Sequence, residues 1–161
     1  MDEIDSTVIE IFAREPRLGV LEASRRLGIA RGTVQARLDK LAAAGVITGW
    51  GPDLSPEAIG YPVMAFLTLE IRQGSAERGG HDAVAAHLAG IPEVLEAYTI
   101  TGAGDMWARV VARSNADLQR VIDLVLTDPG IDRSTTVIAL ATQIDYRVVP
   151  LARAAVSPPP A

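Results

Sequence analysis

The hydrophobic pattern of this chain changes its period once, and that change limits the folds open to it. In the first fifty residues apolar side chains recur every three to four positions, as at Ile4, Val8 and Ile11, which is typical of amphipathic helices. From Val63 onward the hydrophobic pattern instead repeats at every second residue, which is typical of half-buried strands. The segment 51–62 (GPDLSPEAIGYP) between them holds three prolines and two glycines, as a connector does.

We therefore predict two small domains in an α+β chain. The predicted boundaries are a helical domain at 1–50, a linker at 51–62 that can include an extended strand shared between subunits, an alternating domain at 63–146, and a tail at 147–161 whose end is disordered.

The helical domain has the pattern of a helix-turn-helix unit. A first helix carries the acids Asp2, Glu3 and Asp5 in its first turn, where the helix dipole favours negative charge. A second helix covers 20–27 and is closed by a glycine turn at position 28, and a third covers 31–44. Three helices with a glycine turn between the last two favour DNA binding, with the third helix in the major groove. The residues after it (GVITGWGP) predict a brief strand.

Charge supports the same interpretation. The chain carries a net charge of −5, yet residues 20–41 have five basic and two acidic side chains, a local charge of +3. Phosphate binding needs only such a local field. From charge alone, a solvated face of a charged helix remains an equal alternative.

Seven residues of the third helix are the candidates for DNA contact. Small side chains allow close approach, basic ones reach phosphates, and Gln35 is the best candidate for a base edge. Arg37 lies near the buried stripe of Val34, Leu38 and Leu41, so an internal ion pair is its alternative role. The candidates are Arg31, Gly32, Thr33, Gln35, Ala36, Arg37 and Lys40.

The sequence pattern of the second domain predicts the order β-α-β-β-α-β, which is the order of a ferredoxin-like fold. The predicted elements are strands at 63–72, 94–101, 106–113 and 134–144, and helices starting at 81 and 115. The second strand is predicted to place Val94, Glu96 and Tyr98 on one face. Two helices would cover one side of the sheet, and the other side, with Phe66 and Trp107, predicts a homodimer through sheet faces.

The glycine-rich stretch ITGAGD between the second and third strands is the candidate for a small-molecule site. The strand after it excludes a phosphate loop, which needs a following helix. Without a partner carboxylate or histidine, Asp105 is a poor catalyst. Backbone N–H groups can bind an α-carboxylate and Asp105 an α-ammonium group; a plain hairpin with Asp105 capping its own turn is the alternative. The candidates are Thr101, Gly102, Ala103, Gly104, Asp105, Thr135 and Thr136.

Several other classes are excluded by the sequence. There is no cysteine, and His81 and His87 lie on nearly opposite sides of one short helix, so we expect no metal site. No apolar run is long enough for a membrane span, and the N-terminus is acidic, unlike a signal peptide. We therefore expect a cytoplasmic protein that is not an enzyme and binds no cofactor.

The chain resembles the leucine-responsive/asparagine-regulator (Lrp/AsnC) family of transcription regulators. The residues that carry the resemblance are LGIARGTVQARLDKLAAAGVITGW in the first domain and Thr101-Gly102, Asp105 and GIDRSTTVIAL in the second. The resemblance covers about residues 2–146. It implies a winged helix-turn-helix domain joined to a ferredoxin-like effector domain, homodimers assembling to a tetramer or octamer on double-stranded DNA, and an amino acid bound near the glycine turn.

Two departures from the family pattern affect the sites. Ala30 stands where the family commonly has a serine that caps the recognition helix, and the cap is worth about 1 kcal/mol. Ala103 and Gly104 stand where many relatives have a bulkier residue, which predicts a roomier pocket. An effector-independent DNA-organising protein of this fold, and a ferredoxin-like small-molecule-binding domain with a helical oligomerisation arm, remain alternatives.

Overall fold

The computed structural model describes residues 1–72 and 80–157, and these form two units. One unit combines residues 1–52 with the described part of 144–161, and the other spans 53–143. The polar loop predicted at 73–80 lies almost wholly outside the described residues, as does the end of the predicted disordered tail, 158–161.

The first unit consists of helices packed on a small apolar core. Its core side chains come from all three of the predicted helices and include Val8, Ala23 and Val34, each fully buried. Gly28 closes the second helix with φ of +67°, the left-handed conformation expected there. The helices are α1 (Glu3–Arg14), α2 (Val20–Leu27), α3 (Arg31–Ala43) and α6 (Val149–Ala154).

The brief strand expected after α3 is not formed. Gly45 takes φ of +68°, and the N–H groups of Val46 and Ile47 both donate to the Leu41 carbonyl, at 2.9 and 3.2 Å. The segment thus satisfies the free carbonyls at the end of α3, which a strand without a neighbour would leave unpaired. Trp50 then packs edge-on against Phe12, with ring centroids 6.1 Å apart.

Helix α6 lies in the segment expected to be a tail. Arg153 donates two hydrogen bonds to Glu10 of α1, at 2.9 and 2.6 Å, and α6 packs along that helix. Its six residues include Pro150 at the start, where proline is tolerated. So short a helix has too few residues to show a period in the sequence.

The second unit is a four-stranded antiparallel sheet with two helices, in the predicted order β-α-β-β-α-β. The strand order β2-β3-β1-β4 is that of the ferredoxin-like plan. The elements are β1 (Val63–Ile71), α4 (His81–Ala89), β2 (Val94–Thr99), β3 (Met106–Ala112), α5 (Asn115–Val125) and β4 (Ile131–Ile138).

Both helices cover the same side of the sheet, as the sequence predicts. Every second residue of the strands is buried on this side, and Leu67, Leu69 and Val110 are fully buried. Helices α4 and α5 pack against them with Val84 and Val121, which are also fully buried. The other side of the sheet, which we call the open face, includes Phe66 and Trp107.

Two details of the second unit differ from expectation, and one observation concerns the linker. Val94 pairs with Val110 on the helix side, whereas Glu96 pairs with Arg109 on the open face, because a β-bulge between Val94 and Glu96 shifts the register. Strand β4 ends at Ile138 rather than 144; the last bond to β1 is made just beyond it, where the Ala139 N–H donates to the Met64 carbonyl at 2.9 Å, one residue from the start of β1. The linker, which the structure describes throughout, forms no strand within this single chain, and the strand shared between subunits stays a prediction; residues 56–60 form a turn in which the Tyr61 N–H donates to the Pro56 carbonyl at 2.8 Å.

Within the described ranges, no helix is both long and apolar enough to cross a bilayer.

Candidate functional site

The outward side of α3 carries small and polar side chains. Gly32, Thr33, Gln35 and Ala36 are all exposed. A Cβ added at Gly32 would meet no atom within 4 Å, so packing within the chain does not require glycine there. The backbone of this half of α3 is therefore accessible to a large partner.

Gln35, the candidate for a base edge, is oriented by its neighbour one turn along α3. Its Nε2 donates to Oδ1 of Asp39 at 2.8 Å. This bond occupies one of the two amide donors and leaves the amide oxygen free to accept. Reading an adenine edge needs both a donor and an acceptor. With Asp39 bound, Gln35 still has its second amide N–H as the donor and its amide oxygen as the acceptor.

The three basic candidates differ in their surroundings. Arg31 is exposed, and no acidic side chain of the described residues pairs with it. Arg37 is only 25% exposed and donates to Asp2 and, at 2.8 Å, to Oδ1 of Asp5, so it occupies the internal ion pair that was its alternative role. Lys40 is 57% exposed and lies 3.1 Å from Oδ2 of Asp5.

Asp5 is the buried centre of this ion-pair cluster. Its side chain is fully buried in α1. Burial alone would raise the pKa of its carboxyl group, but hydrogen bonds from Arg37, from the Asp2 N–H and from Lys40 together lower that pKa to about 2. Asp5 is therefore ionised at neutral pH and binds two cations of the candidate DNA interface.

The central role of Asp5 was missed at the level of sequence, where its favourable place in the helix dipole was its only assigned role. A signal for its second role exists, because Asp5 precedes Val8 by three positions and Phe12 by seven and so falls on the buried stripe of α1. A carboxylate in a buried stripe needs a cationic partner. The partner is 32 residues away, and helical spacing does not specify it.

The other basic residues of 20–41 are compensated by acids. Arg26 forms ion pairs with Glu15 at 2.6 Å and Glu22 at 2.9 Å, and the hydrogen bonds that it donates to Glu22 and Glu15 raise its pKa. Arg25 lies 3.8 Å from Glu22. Of the five basic side chains in this segment, Arg31 alone has no acidic partner among the residues described.

The second candidate site is the glycine turn between β2 and β3. Gly102 and Gly104 have φ of +106° and +103°, a region that favours glycine. The Ile100 N–H donates to the Asp105 carbonyl and closes the turn at 3.0 Å. Over the described part of the chain, the N–H groups of residues 101–104 have no acceptor, so they are available to an anionic group.

Asp105 joins this turn to β1. Its N–H donates to the Leu69 carbonyl at 2.9 Å, and its Oδ2 accepts from the Ile71 N–H at 2.7 Å. The second bond lies at an irregularity in the pairing of β1 with β4, between Glu70 and Ile71. Asp105 thus stabilises the end of the central strand β1 with one oxygen, while Oδ1 has no partner among the described residues and can accept a ligand.

The two threonines predicted near the turn do not lie together. Thr135 pairs with Thr68 on the open face, whereas Thr136 pairs with Leu67 on the helix side. Adjacent residues of a strand point to opposite faces, so both hydroxyls cannot contribute to one site there. Thr68 lies against the turn, since a Cβ added at Gly104 would be 2.5 Å from Cγ2 of Thr68. Of the two predicted threonines, only Thr135 lies on the same face of the sheet as Thr68. Strand β1 separates β4 from the turn.

The open face combines aromatic side chains with an ion pair. Phe66 and Trp107 stack with centroids 5.2 Å apart, and Tyr98 lies 6.0 Å from Trp107. Arg109 and Glu96 form an ion pair at 3.0 Å, each about one quarter exposed. In the described ranges, no group of histidine or acidic side chains has the arrangement of a metal site.

Comparison with known proteins follows the same division into two domains. Residues 1–48 match the family profile "Winged helix-turn-helix DNA-binding", and residues 64–149 match "Lrp/AsnC ligand binding domain". The chain is 31% identical to the HTH-type transcriptional regulator FL11 of Pyrococcus horikoshii, over 94% of this chain and 97% of that protein.

Solved structures agree with these sequence matches. The structure of Escherichia coli AsnC has a TM-score of 0.83 and 30% identity, covering 93% of this chain and 99% of the other. The feast or famine regulatory protein from M. tuberculosis, complexed with L-methionine, has a TM-score of 0.79 and 26% identity, covering 91% and 97%. Helices able to enter a DNA groove, a sheet with a donor-rich turn, and these matches together show that the chain belongs to the Lrp/AsnC family of transcription regulators.

Proposed function

We propose that this regulator binds operator DNA as a homodimer or higher oligomer, through the outward face of α3, and that an amino acid bound at the turn 101–105 changes its assembly or its DNA binding. The observation that carries the DNA contact is the exposed, small-residue face of α3 next to the uncompensated Arg31. A contact with chromosomal DNA places this action in the cytoplasm.

Arg31 and the first turn of α3 supply the phosphate contact in this proposal. Gln35 supplies the base contact, Gly32 and Ala36 allow the approach, and Thr33 lies beside them on the exposed side. Lys40 contributes its exposed ammonium group, and Arg37 acts from within its ion pair. With so few uncompensated cations per protomer, pairing of two protomers on one operator is what gives sufficient affinity.

The amino-acid site rests on complementary groups at the turn. The free N–H groups of 101–104 suit an α-carboxylate, and Oδ1 of Asp105 suits an α-ammonium group. The bound L-methionine of the M. tuberculosis relative supports the ligand class. The turn is open to solvent, so a second protomer that meets the open face is the natural means of closing it. Binding of this kind is regulatory, and no catalytic step is assigned to the chain.

Replacing Arg31 with alanine is expected to weaken DNA binding about tenfold and to reduce the slope of log K against log salt by about 0.9 for each phosphate that the variant no longer neutralises. Fluorescence anisotropy with the gene's own upstream DNA, over a series of KCl concentrations, measures both quantities. Arg14→Ala is the matched control, since this side chain on α1 is 78% exposed. Salt-independent binding by the wild type would contradict the proposed DNA contact, and an unchanged slope in Arg31→Ala would remove Arg31 from it.

Addition of the effector is expected to shift the same anisotropy curve or the sedimentation coefficient of the protein. A ligand shifts an equilibrium only if it binds the two states with different affinity. Each of the common amino acids is tested separately at a saturating concentration, with Asp105→Asn as the variant that weakens the ammonium contact. A lack of response to every amino acid in both measurements would leave an effector-independent DNA-organising protein.

A further inference from the structure

A single buried carboxylate connects α1 to the helix that faces DNA, and we propose that Asp5 is the positioning residue of the DNA interface. Through Arg37 and Lys40 it fixes the rotation of α3 about its own axis and so selects the side chains that meet the bases. This inference rests on the proposed role of α3 in DNA contact.

The apolar packing of α3 leaves its rotation weakly defined. Val34, Leu38 and Leu41 form a narrow stripe against the core, and such contacts have little directionality. At about 100° of helical rotation per residue, Arg37 and Lys40 both lie on the same side of that stripe. Because both bind the same carboxylate, rotation of α3 in either direction would break one of the two bonds.

Asp5 is itself held in place. Asp2 and Asp5 form a capping box at the start of α1, in which each backbone N–H donates to the other side chain, at 3.0 and 2.9 Å. Arg37 also donates to Asp2. The carboxylate that binds α3 is therefore fixed relative to the backbone of α1.

The start of α3 has no such anchor of its own. Ala30 provides no side-chain cap, and the first turn contains no acidic residue. The half of α3 that includes Gly32 and Ala36 is packed on the core through Val34, and the polar bonds that fix its rotation are made farther along the helix. The same bonds place Asp5 beside Arg37 and Lys40, so that its negative charge reduces their attraction for phosphates of an unspecific duplex.

Two opposite effects are therefore expected in Asp5→Asn, which keeps the shape of the side chain and removes its charge. Affinity for a duplex selected by the wild-type protein from a random pool should fall, because α3 loses its orientation. Affinity for a scrambled duplex of the same composition should rise, with a steeper salt slope, because two cations are released. The ratio of the two affinities should fall at least about tenfold in anisotropy titrations of the full chain.

Glu3→Gln is the matched control, since it removes one negative charge from the same turn of α1 at an exposed position. It should leave the affinity ratio within about twofold of the wild type. Arg37→Gln should lower the ratio without a change in the salt slope on the scrambled duplex, and Arg37→Lys, which retains an ion pair with Asp5, should restore most of it.

The proposal is wrong if folded Asp5→Asn and Arg37→Gln retain the wild-type ratio, or if both affinities fall in parallel, as they would for a purely structural role. Circular dichroism establishes folding, and if Asp5→Asn does not fold, the two Arg37 variants decide. Failure of the DNA-binding function itself has a different signature, because the wild type would then not distinguish the two duplexes.

Discussion

Gly104→Ala is expected to destabilise the unit of residues 53–143 by about 3 kcal/mol, through backbone strain and steric overlap together. Gly104 has φ of +103°, which disfavours any residue with a Cβ. That Cβ would lie 2.5 Å from Cγ2 of Thr68 and 3.2 Å from the Leu69 carbonyl oxygen. Since the carbonyl belongs to the central strand β1 and accepts the Asp105 N–H, it has little freedom to move.

Gly102→Ala provides the matched control for this prediction. Gly102 has nearly the same φ, +106°, but its Cβ would meet no atom within 4 Å. It should therefore show the strain alone, about 1–2 kcal/mol. Urea unfolding followed by Trp107 fluorescence in a Trp50→Phe background reports on this unit, since the chain has two tryptophans and one lies in each unit. Equal losses in the two variants would show that Thr68 and Leu69 do not constrain the turn.

The close packing at Gly104 holds the turn of residues 101–105 against the sheet. A side chain at this position would overlap β1, so only glycine lets the turn lie this close to it, and the ligand site at the turn stays a proposal. The open turn was predictable from the two glycines. Its contact with Thr68 was not, because it joins residues that lie far apart in the chain.

The fold was largely predictable because its elements have clear periods. Helix α2 begins and ends at the predicted residues, and α3 ends one residue early. The bulge at Leu95 escaped prediction because it depends on how β2 pairs with β3, and the alternation within a six-residue strand does not specify where an extra residue is inserted. Helix α6 escaped because its stability comes from packing on α1 and from the Arg153–Glu10 ion pair, rather than from its own sequence.

The sites were less predictable than the fold. The exposed face of α3 follows from helical geometry, and the structure places its small residues outward. The ion pairs of Arg37 and Lys40 depend instead on the three-dimensional approach of α1. A local excess of positive charge in the sequence therefore overestimates the charge available to phosphate, because acids outside the counted segment, Asp2 and Asp5, compensate it.

The same ion pairs make the helical unit sensitive to acid. The pKa of Asp5 is about 2 in the folded chain against an ordinary value of 3.8, and the pKa of Asp2 is lowered by its hydrogen bonds with the Asp5 N–H and Arg37. A carboxyl group whose pKa is lowered by folding stabilises the fold above its ordinary pKa, and this contribution is lost as pH falls through the folded value. For Asp5 it amounts to about 2 kcal/mol, lost mainly between about pH 5 and pH 2.

Urea unfolding followed by Trp50 in a Trp107→Phe background measures this loss between neutral pH and about pH 2. Asp5→Asn should be less stable than its parent at neutral pH, because Arg37 and Lys40 lose their buried partner, and the difference should shrink as pH falls, since protonation removes the same charge from the parent. Glu3→Gln, on the exposed side of α1, should differ from its parent much less than Asp5→Asn does at neutral pH. A difference between Asp5→Asn and its parent that stays constant over the whole range would show that the carboxylate of Asp5 does not stabilise the fold by its charge.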